Sequence, residues 1–271
     1  MKEFEKWFPF SKSNDYQKAV LIFCFHHAGG SAAAYRKWTE RNNEKVAFIP
    51  VELPGKGCRM NEQYNYDMDS VSALAAEAIS EFAGHRKYIL YGHSMGSAIA
   101  FKTAYEIEQK YENNPLALIV SGRHSPCVHL SDRYSTDMDD SELIKELKRM
   151  GGTPKEILEN RAVLEMLLPF VKNDYKLNES FSYNGNKINI PIITYSGSMD
   201  KDATIDMADE WQNVTTKKIE KHECYGNHFF IFDLGDLYID IIIKKVASIA
   251  QNSKNVIKYR RKNEEEIFTF I

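Results

Sequence analysis

The chain has 271 residues, enough for one large α/β domain with a well-buried core and too few for two full domains. With 43% hydrophobic residues, 27% charged residues and a net charge of -3, nothing in its composition points to a nucleic-acid binder, a membrane protein or a disordered chain. Its four cysteines, Cys24, Cys58, Cys127 and Cys224, form no CxxC pair, which argues against a zinc site or disulfide scaffold and fits reduced thiols in the cytoplasm.

The N-terminal segment MKEFEKWFPFSKSNDYQ carries acidic residues and no continuous apolar core, so no signal peptide is expected. No stretch reaches the roughly 18 apolar residues of a membrane span. Short apolar runs then recur at residues 19–25 (AVLIFCF), 46–53 (VAFIPVEL), 87–92 (KYILYG), 116–122 (LALIVSG) and 190–197 (IPIITYSG). Their length and β-branched content predict buried strands. Residues 69–83 and 97–111 carry apolar positions at three- and four-residue spacing, which predicts helices between strands. Such alternation calls for a mostly parallel sheet covered by helices on both faces.

The alternation breaks over residues 129–182, where helical patterns follow one another without a strand. Asp140 or Ser141 is the expected cap of one helix, and Gly151-Gly152 followed by Pro154 separates it from the next. A strandless segment this long predicts an inserted helical lid, with residues 1–128 and 183–250 forming the core around it. Residues 251–271 carry a basic cluster, an acidic cluster and then alternating apolar residues. They are open to reading as a flexible extension, an edge strand or a partner contact, and their role is unassigned.

The pentapeptide Gly92-His93-Ser94-Met95-Gly96 sits where a predicted strand hands over to a small-residue helix. A serine lifted clear of a sheet edge needs a tight, strained turn, and glycines on both sides remove the collisions of that turn; this is the nucleophile elbow of G-x-S-x-G. A serine that merely caps a helix is the competing interpretation, and the flanking strand and helix weigh against it. Ser94 is therefore the expected nucleophile, and His93 a supporting residue inside the elbow.

Serine at its ordinary pKa needs a base, and the base needs an orienting acid; in this architecture both follow the serine in the chain. Asp200 lies on the loop just past the last apolar run and is preferred to Asp202, deeper in the loop, and Asp206, within a predicted helix. Beyond it only His222 and His228 remain. His222 alternates with charged residues as an exposed strand position does, whereas His228 follows a glycine turn and precedes an apolar helix, which makes His228 the expected base. One oxyanion donor is expected from the Met95 amide and the other from the glycine-bearing loop FHHAGGSAAAY, residues 25–35. That loop lacks the lysine and the glycine spacing of a phosphate-binding loop.

Taken together, CFHHAGGSA, ELPGKGCR, GHSMG, SGSMD and GNHFFIF resemble the type II thioesterases of nonribosomal peptide and polyketide synthases, enzymes of the α/β-hydrolase fold. The resemblance runs to about residue 250 and includes KRMGGTPKEIL and LLPFVKNDYKL of the lid. It implies hydrolysis of aberrant or stalled acyl groups from the phosphopantetheine arm of acyl or peptidyl carrier proteins. It further implies that Ser94, His228 and Asp200 are catalytic, that the amides of Ala28 and Met95 hold the oxyanion, and that no metal or cofactor is needed, the substrate being carried by the partner. A cytoplasmic monomer with no nucleic-acid or membrane partner is expected. His26 stands where the family usually has proline, which is expected to loosen the loop, and Cys58 lies in a segment that is commonly arginine-rich. Lys145, Lys148 and Arg149 are candidates for a basic rim facing an acidic carrier protein.

A medium-chain fatty acyl-carrier thioesterase or a small-molecule carboxylesterase would use the same three residues, and an acyltransferase would share them too. A non-catalytic scaffold on a decayed hydrolase fold is disfavoured by the intact set.

Overall fold

The computed structural model describes residues 3–12, 15–128 and 138–268, with side chains through residue 253. Six strands, β1 Val20–Phe25, β2 Val46–Pro50, β3 Tyr88–His93, β4 Leu118–Ser121, β5 Ile192–Gly197 and β6 Ile219–Cys224, form one all-parallel sheet in the order β2-β1-β3-β4-β5-β6. Five of them coincide with the expected apolar runs. Their side chains alternate between two cores: Leu21, Phe23 and Phe25 of β1 enter one, Val20, Ile22 and Cys24 the other. Burial on both faces is why these strands read as continuous hydrophobic runs. β6 is one of the two edge strands and mostly half-exposed, so its Glu220, Lys221, His222 and Glu223 keep it polar and guard its open edge.

Helices α1 Met68–Ala83 and α2 Met95–Lys110 pack on one face. α1 starts at Asp67, whose side chain accepts the Ser70 N–H. On the other face lie a 3-10 helix, Ala32–Arg41, and the first half of α7, Asp236–Phe268, through Tyr35, Trp38, Tyr238, Ile239, Ile242 and Val246. Between β4 and β5 the chain forms α3 Asp140–Met150, α4 Lys155–Leu158 and α5 Arg161–Glu179, with no strand among the described residues. The first part of the expected lid, residues 129–137, lies outside the described residues.

The cap of α3 is neither Asp140 nor Ser141 but Asp139, which forms a reciprocal capping box with Glu142. The reason is spacing: only an acid three residues before Glu142 completes that box. Leu143 of α3 and Leu168, Val171 and Tyr175 of α5 make a small core of their own, against which Ala28 packs. Residues 251–268 continue α7, so they do not add an edge strand. A short helix α6, Phe230–Asp233, follows β6. No helix among the described residues is long and apolar enough to cross a membrane.

Because β1 is flanked by β2 on one side and β3 on the other, the chain reverses its winding direction between β1 and β3. A crevice opens there at the strands' C-terminal ends. Phe25 is in register with Gly92, so the loop after β1 and the turn after β3 emerge side by side.

Candidate active site

Ser94 occupies the turn between β3 and α2 with φ 55° and ψ −121°, one of two non-glycine residues at positive φ among the described residues. Such a conformation costs on the order of 1–3 kcal/mol and persists only where its surroundings enforce it. The enforcement is visible. The Ser94 N–H donates to Ser121 O at 2.9 Å, and the Ser97 hydroxyl donates to Gly92 O at 2.8 Å. A Cβ on Gly92 would lie 2.2 Å from Gly96 O, and one on Gly96 would lie 2.1 Å from Phe25 O. Both glycines are thus required by backbone that cannot yield. Gly96→Ala is expected to cost about 3 kcal/mol or more, measurable by urea denaturation, because the clash is with the β1 main chain rather than with a flexible side chain.

The structure brings Ser94, His228 and Asp200 together. The Ser94 hydroxyl lies 3.0 Å from His228 Nε2, and His228 Nδ1 lies 2.7 Å from Asp200 Oδ2. Asp200 and His228 are both buried, 5% exposed, which shields the chain of hydrogen bonds from water. Asp200 follows β5 and His228 follows β6, so the imidazole must reach across the end of β4 to meet a serine on β3. Gly122, just past β4 with φ 57°, opens that path. A Cβ there would meet His93 Cε1 at 2.6 Å and His228 Cε1 at 3.3 Å. Sequence reasoning saw Gly122 only as the end of an apolar run; its role depends on a neighbour two strands away.

The rival acids are engaged or remote. Asp202 Oδ2 accepts from Arg149 Nη2 at 2.6 Å, while the Asp202 N–H donates to Asp200 Oδ1 at 2.9 Å. Asp206 is exposed at the start of a 3-10 helix. His222 lies on β6, its ring stacked on Tyr195 and its Nε2 2.8 Å from Glu220 Oε1. Arg149, one of the three expected rim cations, is paired with Asp202 and Glu146, and Lys145 and Lys148 are the other exposed basic residues of α3.

Ala28 and Met95 line the same cavity as Ser94 and His228. It has a volume of about 240 Å³, and Leu147, Met150, Pro154, Ile157, Leu167 and Val171 form its apolar wall, all from the stretch between β4 and β5. Gly152 lies against the Phe229 ring, where a Cβ would come within 2.4 Å, so this stretch also roofs the loop that carries His228. Two further histidines surround the centre. His93 sits beneath His228 with ring centroids 5.2 Å apart and its Nδ1 2.8 Å from Ser121 Oγ; burial pushes its pKa well below the usual range. His27 is pushed down to about 3, by burial first and then by His26 and His228. Both rings are neutral at physiological pH.

His26 does not leave the loop slack. Its buried ring is likewise held down to about 3 by burial and the nearby Lys56, so Nδ1–H donates to His27 O at 2.9 Å. The loop is a tight turn closed by Gly30 N–H to His27 O at 3.0 Å, with Gly29 at φ 81°. A residue that sequence reasoning passed over meets it there. Asp174 of α5, with a fully buried side chain, accepts from the Gly29 N–H at 2.6 Å, from Lys56 Nζ at 2.7 Å and from the Tyr64 hydroxyl. In the sequence it stands in KNDYK, which resembles an ordinary solvated helix face.

The family model for the Thioesterase domain matches residues 21–248. The linear gramicidin dehydrogenase LgrE of Brevibacillus parabrevis is 32% identical over 235 residues, covering 84% of this chain and 88% of the relative. The gramicidin S biosynthesis protein GrsT of Aneurinibacillus migulanus is 28% identical over 250 residues, covering 92% and 97%. Among solved structures, YbtT, a type II thioesterase from the yersiniabactin NRPS/PKS biosynthetic pathway, superposes with a TM-score of 0.76 at 26% identity. That match covers 88% of this chain and 97% of that one.

Proposed function

The chain belongs to the Thioesterase domain family, and from that premise we propose that it is an editing thioesterase. It hydrolyses stalled or aberrant acyl groups from the phosphopantetheine arm of carrier proteins in nonribosomal peptide or polyketide synthesis, as a cytoplasmic monomer with no cofactor of its own. The observation that carries this reading is the Ser94–His228–Asp200 hydrogen-bond chain opening into a cavity with a largely apolar wall. The likeness to GrsT, named for gramicidin S biosynthesis, and to YbtT supports the partner assignment.

Ser94 Oγ attacks the thioester carbonyl carbon while His228 Nε2 takes its proton. Asp200 accepts Nδ1–H, which fixes the tautomer that leaves Nε2 free and stabilises the imidazolium that forms. The oxyanion is held by the N–H groups of Ala28 and Met95, the latter at the positive end of α2. The carbon–sulfur bond then breaks. The departing pantetheine thiol has a pKa of roughly 8.5 by analogy with cysteine, so it leaves readily and takes the proton from His228. Water, deprotonated by the same imidazole, attacks the acyl-Ser94 ester; the bond between the acyl carbon and Oγ breaks, Oγ takes the proton back from His228, and the carboxylic acid departs. In this scheme α3, α4 and α5 form the lid that shapes the acyl chamber and keeps bulk water out.

A panel of carrier proteins loaded with short, medium and long acyl chains, assayed by mass spectrometry beside free p-nitrophenyl esters, tests the assignment. Release of short acyl groups from carriers is expected at a kcat/KM at least tenfold above that for the free oxyesters. A preference for free oxyesters would instead make the protein a small-molecule esterase, and a preference for medium chains a fatty-acyl thioesterase.

A further inference from the structure

The loop that carries Ala28 is a tight turn, and such turns come in two forms. A four-residue turn with a closing hydrogen bond between its first and last residues can hold its central peptide in either of two orientations, related by a flip of about 180°. Here the turn is His27 to Gly30, closed by Gly30 N–H to His27 O, and the positive φ of Gly29 places the central Ala28–Gly29 peptide in the type II orientation. The two forms differ in the direction of the Gly29 N–H and the Ala28 C=O, while the Ala28 N–H, part of the preceding peptide, keeps its direction. The Gly29 N–H points at Asp174 Oδ2, 2.6 Å away. In the flipped turn the Ala28 carbonyl oxygen would face the carboxylate, an arrangement of two acceptors with no proton between them.

The carboxylate is itself immobilised. Lys56 Nζ and the Tyr64 hydroxyl, both from the segment between β2 and α1, hold it at 2.7 Å and in a short hydrogen bond respectively, and the side chains of Lys56 and Asp174 are 4% and 0% exposed. A buried, paired carboxylate with three donors is a costly arrangement, and its single main-chain partner is the residue next to Ala28. The Val171 side chain of α5 is close as well, since a Cβ on Gly29 would lie 3.1 Å from Val171 Cγ2.

We propose that Asp174 is a positioning residue for the oxyanion hole: carried on α5, it anchors the amide next to Ala28 and so fixes where the His27–Gly30 turn, and with it the Ala28 N–H, sits against the reacting oxygen, and the hole is complete only while α5 is seated. This rests on the reading of Ser94 as nucleophile and Ala28 as oxyanion donor. The lid thus does more than wall the chamber; it supplies the clamp for one half of the electrostatic machinery.

The test separates clamping from stability. Lys56→Met/Asp174→Leu removes both buried charges together, a change that leaves folding near the parent level while abolishing the acceptor for Gly29. Its kcat is expected to fall about 30- to 100-fold with KM within threefold, since small misplacements of catalytic donors carry losses of that order. Affinity for a trifluoromethyl ketone analogue, which makes the tetrahedral oxyanion, should fall by the same factor, while inhibition by the carboxylic acid product should not change.

Tyr64→Phe, which removes one donor and no charge, should show a three- to tenfold loss in the same proportion, and it decides the matter if the double variant does not fold. Parent-like kcat in a folded double variant, a loss confined to KM, or an unchanged Tyr64→Phe overturns the proposal. Ser94→Ala run alongside keeps the two readings apart. Turnover surviving in Ser94→Ala sinks the active-site reading, whereas a dead Ser94→Ala beside parent-like Asp174 and Tyr64 variants sinks only the clamp.

Discussion

Ser94→Ala is expected to lower kcat for acyl-carrier hydrolysis by roughly 10⁴- to 10⁶-fold with little change in KM. Removing Oγ removes the atom that forms the acyl ester, and no neighbouring hydroxyl replaces it. Ser121 Oγ is buried and engaged by His93 at 2.8 Å, and Ser97 Oγ is tied to Gly92 O. Alanine meets the same positive-φ penalty as serine, so the substitution neither relieves nor adds strain at the elbow. The rest of the chamber is untouched, and substrate binding is therefore retained. Two measurements check this: steady-state turnover, and intact-mass analysis after treatment with a fluorophosphonate, which should add one adduct to the parent and none to the variant. A variant within a hundredfold of the parent would mean that another group attacks the thioester.

Asp200→Asn is expected to be nearly as severe, with a loss in kcat of about 10⁴-fold. The reason lies in the second oxygen. Asp200 Oδ1 accepts the Asp202 N–H at 2.9 Å, so an asparagine at 200 must keep its carbonyl oxygen on that side and turn its NH₂ toward His228. His228 Nδ1 then becomes an acceptor, the ring proton moves to Nε2, and the nitrogen facing Ser94 Oγ can no longer take a proton. The mirror experiment is Asp202→Asn, expected to lower kcat less than tenfold, because Asp202 faces Arg149 and not the imidazole. Paired kcat measurements on the two variants distinguish the orienting acid from its neighbour. Equal losses would show that the carboxylate at 202 shares the role.

The elements of the site that the sequence displayed are those whose requirements are local. A glycine-flanked serine between an apolar run and a small-residue helix is a contiguous signal, and Asp200 and His228 follow from chain order and from lying beyond strand ends. The sheet was legible because strands buried on both faces are apolar throughout; β6, exposed at the edge and rich in charge, shows only in the alternation around His222. What escaped depends on contacts between distant segments. Gly122 matters because an imidazole 106 positions later passes over it, Arg149 because Asp202 turns toward α3, and Asp174 because its helix lies on a turn 145 residues earlier in the chain. None of these leaves a mark on its own neighbours. The cap of α3 fell one residue away from expectation because acids crowd that stretch and only the Glu142 partner selects among them.

The order of the strands also governs when this protein becomes reactive during its own synthesis. Ser94 and His228, the proposed nucleophile and base, are 134 residues apart, and His228 follows the last strand in the chain, at the sheet's margin. A chain still emerging from the ribosome presents Ser94 long before the His228 imidazole exists to meet it. It also cannot build the β5–β6 margin that carries the relay until most of the domain has been translated. On the proposed mechanism, fragments cut short by proteolysis or premature termination are expected to be inert toward thioesters, hydrolytic competence arriving only with the nearly finished polypeptide.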